Sequence, residues 1–293
     1  MSILEDLKMQ FRIGGVVTKL IFWNIALFAI PSIVFGLLSL FHISVDFLSF
    51  VSLSSNPVDL LWKPWSIISY AFFHFGIFHL LFNLLMLNFA GRLFLVFFTP
   101  KQFLSLYFVS AIFSGMIYII GYRFIPVLID VNTSLVGASA AIMAILFATV
   151  AYSPFMEIRL LLLGNVKLWH IALILIGVDL IQLPMNNTGG HLAHLGGAFF
   201  GYLYISQLKR GLDICGWFSI IVDALANVFG NKKATPFKKV HRNYSPSPVK
   251  RTSKIIQKDK QQQQIDEILD KISQSGYDSL TKEEKEFLFQ SGK

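Results

Sequence analysis

The sequence predicts an all-α membrane bundle of six transmembrane helices followed by a cytoplasmic tail. Three observations carry that expectation. Of 293 residues, 54% are hydrophobic and only 14% charged, and a water-soluble domain of that balance would leave too much apolar surface facing water. Apolar runs of the roughly 17–25 residues that cross about 30 Å of hydrocarbon recur along most of the first 210 positions. Charge is segregated as well: residues 1–230 hold 11 Lys and Arg against 9 Asp and Glu, so most of the net charge of +8 sits in the tail.

Residues 1–15 read as a short cytoplasmic N-terminus. The first apolar run begins after Lys8, Arg12 and Lys19 with no small-residue cleavage site behind it, so it is expected to be a retained helix from about Val16 to Phe41. It carries Pro31, which membrane helices tolerate. From about His42 to Ile77 polar and aromatic residues alternate, Trp62, Lys63, Pro64 and Trp65 among them. That stretch is too long for a tight turn and too apolar for a solvated loop, so it is placed in the membrane interface, where Trp and Tyr prefer to sit.

The later spans cover about Phe78 to Phe98, Gln102 to Gly121, Ser139 to Tyr152 with Pro154 as a stop, Leu168 to Leu183, and His191 to Lys209 and Arg210. They close a membrane domain of residues 16–210. With the N-terminus inside, seven basic residues up to the fifth span face the cytoplasm and only two, Lys63 and Arg123, lie outside. This positive-inside excess and six spans put both termini of a multi-pass cell-membrane protein in the cytoplasm.

Residues 211–230 turn amphipathic, with Trp217, Phe218, Ile221 and Leu225 against Asp213 and Asp223, as an interfacial helix does. Residues 231–260 hold ten Lys and Arg against one Asp, interrupted by Pro236, Pro246 and Pro248. Such a run reads as a basic linker attracted to anionic lipid; no aromatic interleaving accompanies it, so nucleic acid is not an expected partner. Residues 261–293 read as a small helical unit. Ile265, Ile268, Leu269 and Ile272 share a face, Gly276 is a stop, and Thr281 and Glu284 are spaced as a capping box. The single cysteine, Cys215, excludes an intramolecular disulfide.

Polar residues inside apolar runs need partners or a watery cavity, which makes them the best functional signal in a membrane sequence. His79 and Asn83 are four apart and share a helix face. Ser139 opens the fourth span within Gly137-Ala138-Ser139-Ala140-Ala141, and His191, His194, Gly197 and Gly201 follow one face of the sixth. Counting at 1.5 Å per residue, Ser139 and His194 both lie roughly 20 Å above the cytoplasmic ends of their helices. They are level. Gly197 and Gly201 on the sixth span, and Gly137, Ala140, Ala141, Ala144 and Ala148 on the fourth, offer the small-residue faces that let two helices approach closely in lipid.

The chemistry of these types fits acyl transfer. A serine hydroxyl needs a base to take its proton, and neutral histidine is the usual one. The oxyanion formed on attack needs donors, which His79, Asn83 and the backbone N–H of Ser139 could supply.

At these positions the sequence resembles the rhomboid family of intramembrane serine proteases over about residues 15–210. Ala193-His194-Leu195-Gly196-Gly197-Ala198-Phe199-Phe200-Gly201 matches the family pattern A-H-x-x-G-x-x-x-G at every fixed position. His79-x-x-x-Asn83 and Gly137-x-Ser139 match its oxyanion-side pair and nucleophile motif. The resemblance implies Ser139 as nucleophile, His194 as general base, and His79, Asn83 and the Ser139 amide as oxyanion donors, acting on transmembrane protein substrates without metal or cofactor. His74 has a structural counterpart in the family. His191 lies outside the pattern, either a neighbour in a water cavity or a polar residue at the outer interface, and we take the second reading. Three positions depart: Ala140 stands where glycine is usual, Met143 where an aromatic often packs on the histidine, and Trp65-Ser66 where a tryptophan-arginine pair is usual.

Other classes fit less well. A metalloprotease would use the histidines with an H-E-x-x-H motif, which is missing, and no carboxylate neighbours any of them in sequence. An aspartyl protease needs two aspartates in spans, where only Asp179 is found; it is read as a structural hydrogen-bonding residue. A transporter would bring internal repeats. The remaining rival is a catalytically inactive rhomboid-like protein that binds membrane-protein clients, which predicts loss of Ser139 or His194.

Overall fold

The computed structural model describes residues 2–160, 164–229 and 253–291. The chain divides into two units, Met1–Lys232 and Lys233–Lys293. The first opens with α1 (Ile3–Ile13), a helix within the N-terminal residues 1–15. Its start is a capping box: Glu5 N–H donates to Ser2 Oγ at 3.3 Å and Ser2 N–H to Glu5 Oε2 at 3.0 Å.

Each of the six long apolar runs predicted as spans becomes a helix among the described residues. α2 (Val16–Ser39) carries Pro31 within it. The interfacial stretch folds into α3 (Phe47–Val51), β1 (Leu53–Ser54), α4 (Asp59–Trp62), α5 (Ser66–Ser69) and a 3₁₀ turn at Tyr70–Phe72. Then follow α6 (Ile77–Phe97), α7 (Pro100–Phe124), β2 (Ser134–Leu135) and α8 (Ser139–Tyr152). The hairpin β3 (Glu157–Leu160) and β4 (Gly164–Lys167) leads to α9 (Leu168–Gln182), α10 (Thr188–Leu208) and α11 (Gly216–Phe229). α2, α6 and α7 are long and apolar enough to cross a membrane, and α8 and α9 are shorter apolar helices. α10 starts one turn before His191, so that residue lies inside the helix.

α8 occupies the centre. Every residue from Ala140 to Thr149 is buried, and α6, α7 and α10 pack around it. Small side chains make this possible: a methyl group added at Gly197 or Gly201 would fall on the carbonyls of Ala140 and Ala144. The two backbones therefore touch, as the small-residue faces predict.

The interfacial stretch is tied down from both sides. Tyr70 OH donates to the Ala111 carbonyl at 2.7 Å, and Tyr107 OH of α7 donates back to the Ala71 carbonyl at 2.9 Å. At the Trp65-Ser66 departure, Trp65 Nε1–H donates to the Phe50 carbonyl and Lys63 Nζ to the Ser49 carbonyl, both at 2.9 Å. Ser66 is buried beside them. The loop keeps its support through Trp65 and Lys63.

The second unit holds α12 (Ser253–Ser275) and α13 (Lys282–Ser291). α12 ends where Gly276 takes φ +78° and ψ 162°, a backbone conformation that glycine adopts without strain. The Thr281 and Glu284 box forms, with Thr281 N–H to Glu284 Oε2 at 2.7 Å and Glu284 N–H to Thr281 Oγ1 at 3.3 Å. Lys271 Nζ reaches the same carboxylate at 2.8 and 3.0 Å. Of the basic linker, residues 231–252 lie outside the described residues, while Ser253 onward already belongs to α12.

Candidate functional site

The serine is positioned by a braced loop. Leu53 and Ser54 of β1 pair antiparallel with Leu135 and Ser134 of β2. Ser55 extends the ladder: its N–H donates to the Thr133 carbonyl at 3.0 Å, and its Oγ donates to the Val131 carbonyl at 2.9 Å and accepts from Thr133 N–H at 3.1 Å. Gly137 N–H then donates to the Tyr70 carbonyl at 2.9 Å. Gly137 has φ +131°, and a Cβ there would stand 2.9 Å from His79 Cε1 and Nε2. Glycine is needed on both counts, for the backbone turn and for the close approach of the His79 ring.

Ser139, the first residue of α8, meets His194 of α10. The Ser139 Oγ lies 2.6 Å from His194 Nε2. His194 Nδ1 is in turn 2.8 Å from Asp179 Oδ1, and His191 Nδ1 is 2.7 Å from the same oxygen. These contacts revise two readings. His191 is 8% exposed and Asp179 5%, so His191 is no interface residue but a buried partner of the acid. A carboxylate also does stand beside two of the histidines, because the turn between α9 and α10 folds Asp179 back onto them.

Asp179, His191 and His194 offer donor atoms within 4.8 Å of one another, a set of types that metal sites use. In this arrangement the two Nδ1 atoms are already engaged with one carboxylate oxygen and the remaining nitrogen of His194 faces Ser139. The cluster is organised for hydrogen bonding along a line to the serine.

A cavity of about 660 Å³ opens on the serine. His79, Asn83, Ser139, Asp179, His191 and His194 supply polar groups on a wall that is otherwise largely apolar, with Phe75, Met86, Met143 and Leu175. Met143 thus lines the cavity, whereas the backbone of Ala140 backs onto Gly197. His79 and Asn83 stand together as their spacing predicts. Asn83 Nδ2 donates to the His79 carbonyl at 2.8 Å, which uses one of its two hydrogens and leaves the second. The His74 ring packs edge-on against His79 at 5.0 Å between centroids.

Sequence reasoning brought Ser139, His194, His79 and Asn83 to one place. It missed the link from Asp179 to both histidines. The available signal was a lone acid in an apolar run, since a buried charge without partners is costly.

No curated protein gives a significant match to the chain. Residues 256–291, the α12–α13 unit, match a family of unknown function, DUF6576. Residues 61–210, about half the chain, match the Rhomboid domain. They run from the interfacial loop through the end of α10 and contain all four cavity residues just named, so the chain belongs to the rhomboid family of membrane proteins.

Proposed function

We propose that this rhomboid-family protein is an intramembrane serine endopeptidase that hydrolyses peptide bonds in or near transmembrane segments of other proteins. The observation that carries this reading is the 2.6 Å contact between Ser139 Oγ and His194 Nε2 at the floor of a large cavity. A hydroxyl that donates to an imidazole at this distance is set to lose its proton as it attacks. Ser139 Oγ bonds to the scissile carbonyl carbon while its hydrogen passes to Nε2. The oxyanion is then met by the Ser139 N–H, free because a helix start lacks internal acceptors, and by the His79 ring and the second Asn83 amide hydrogen. His194 returns the proton to the leaving amine, and a water activated by the same ring releases the acyl group.

In this reading α2, α6, α7, α8, α9 and α10 are six transmembrane spans, with both termini and the α12–α13 unit in the cytoplasm. α8 has 14 residues and is about 21 Å long at 1.5 Å per residue, so it covers only part of a roughly 30 Å hydrocarbon layer. Its serine then starts below the outer surface, where a cavity brings water. A substrate helix has its carbonyls tied up in its own backbone bonds, so the enzyme prefers segments with small or helix-breaking residues near the cleaved bond. The basic segment before α12 contacts anionic lipid.

The test is cleavage of a panel of single-span substrates by purified protein in liposomes, wild type beside Ser139→Ala and His194→Ala. Wild type yields product and both variants yield none. Product from Ser139→Ala equal to wild type overturns the serine-protease reading, and none from wild type points instead to a client-binding member without protease activity.

A further inference from the structure

We infer that Asp179 is a third member of the site, a positioning residue that fixes the tautomer of His194 and stabilises its protonated form, with His191 holding the acid in place. The inference rests on the proposed serine-protease chemistry for its catalytic consequence, and on hydrogen-bond geometry for its structural one.

A carboxylate only accepts hydrogen bonds. With Asp179 Oδ1 2.7 Å from His191 Nδ1 and 2.8 Å from His194 Nδ1, both Nδ1 atoms carry hydrogens. A neutral His194 with its hydrogen on Nδ1 leaves Nε2 as an acceptor, which is what Ser139 Oγ–H requires at 2.6 Å. The two bonds from serine to acid therefore run in one direction: Ser139 donates to His194, and His194 donates to Asp179. The opposite tautomer would put an Nε2 hydrogen against the serine hydroxyl and a bare Nδ1 against the carboxylate.

When the Ser139 proton moves to Nε2, the ring becomes an imidazolium, and its positive charge sits beside a buried carboxylate. Little solvent lies between them to weaken the attraction, since Asp179 is 5% exposed. The acid thus favours the charged ring over the neutral one, which is the differential stabilisation that speeds a step.

His191 explains why the acid stays put. It stands three residues before His194 on the same helix, so its ring and the His194 ring reach the same oxygen from one face of α10. Asp179 comes from the other side of the turn, near the end of α9. Thr188 Oγ1–H closes that turn by donating to the Leu183 carbonyl at 2.8 Å. Two N–H donors thus converge on Oδ1 of one buried carboxylate.

Two variants separate the charge from the hydrogen bond. Asp179→Asn keeps an oxygen that both rings can reach and removes the charge; Asp179→Ala removes both. Full-length protein with ¹⁵N-labelled histidine reports the His194 tautomer by NMR, and a single-span substrate in liposomes reports kcat and KM. The wild-type ring carries its hydrogen on Nδ1, and Asp179→Ala shifts a substantial fraction to Nε2. Asp179→Asn lowers kcat by at least about 100-fold at unchanged KM, less than the about 10⁴-fold loss in a soluble serine triad, where the amide also imposes the wrong tautomer. His191→Phe, with the acid intact, gives a smaller loss of kcat. A His194 ring that keeps its wild-type tautomer in Asp179→Ala, or Asp179→Asn turnover within twofold of wild type, overturns the inference. If wild-type protein cleaves nothing, the protease reading fails, and the tautomer measurement still decides the role of Asp179.

Discussion

Gly197 of α10 rests directly on the carbonyl of Ala140 of α8, one residue beyond Ser139. Three residues before Gly197, on the same helix, stands His194. The distance between the serine and the histidine is therefore set by a backbone contact that admits no side chain. Any group placed at 197 must separate the helices, and the 2.6 Å contact between Ser139 and His194 opens with it.

This contact gives the first prediction. Gly197→Val pushes α10 off α8 and lowers turnover by more than tenfold, together with an overpacking cost of about 1–3 kcal/mol in stability. Gly36→Val on α2, where an added Cβ meets nothing within 4 Å, leaves turnover unchanged. Comparing the two variants for substrate cleavage and for thermal unfolding in detergent separates a local packing effect from a general dislike of bulk.

Gly137 sits at φ +131° with the His79 ring packed where a Cβ would go. Gly137→Ala strains the backbone by about 1–3 kcal/mol and displaces His79 from the cavity. Turnover drops at least tenfold while the bundle stays folded, which circular dichroism and gel filtration check. A fully active Gly137→Ala would mean that His79 has no fixed place in the chemistry.

In the proposed mechanism His79 and Asn83 act on the oxyanion, so removing either one is expected to weaken the transition state more than substrate binding. His79→Ala and Asn83→Ala are each expected to lower kcat by about 10²–10³-fold, the usual cost of one oxyanion donor, at nearly constant KM. Steady-state kinetics on one substrate decides it: a loss expressed wholly in KM would assign the pair to binding.

Glu284 caps α13 while bonded to Lys271, and that bond, with the Thr281 backbone N–H behind it, holds its carboxyl below the ordinary glutamate value of about 4.5. A group whose folded value is depressed adds stability above its unfolded value and loses it as pH falls through the folded one. Exchange protection of the α13 amides is thus constant from pH 7 to about 5 and falls below about 4.5. Glu284→Gln lowers protection at neutral pH and removes this acid-dependent fall, as hydrogen exchange corrected for intrinsic rates reports.

Much of this was legible in the chain, for physical reasons that differ by element. The long apolar runs gave α2, α6 and α7 within a few residues because a bilayer-length helix has no competing structure. Ser139 and His194 could be levelled by counting because both helices rise by the same increment per residue. Two-residue strands such as β1 and β2 carry no periodic signal, and their pairing joins Leu53 to Leu135 across more than 80 positions. The Asp179 bridge escaped for the same kind of reason. A lone acid in an apolar run announces that it has a partner, while the turn that delivers it to His191 and His194 is a tertiary fact. α1 was readable, since Ser2 and Glu5 have the spacing of a capping box.

Covalent labelling shows directly whether His194 activates Ser139, without any knowledge of the substrate. Full-length protein in liposomes is treated with a fluorophosphonate, and the modified residue is located by peptide mass spectrometry. One adduct forms on Ser139 in wild type, and its yield falls at least 100-fold in His194→Ala. A Ser139 that stays unlabelled, or that labels equally with and without His194, would contradict it.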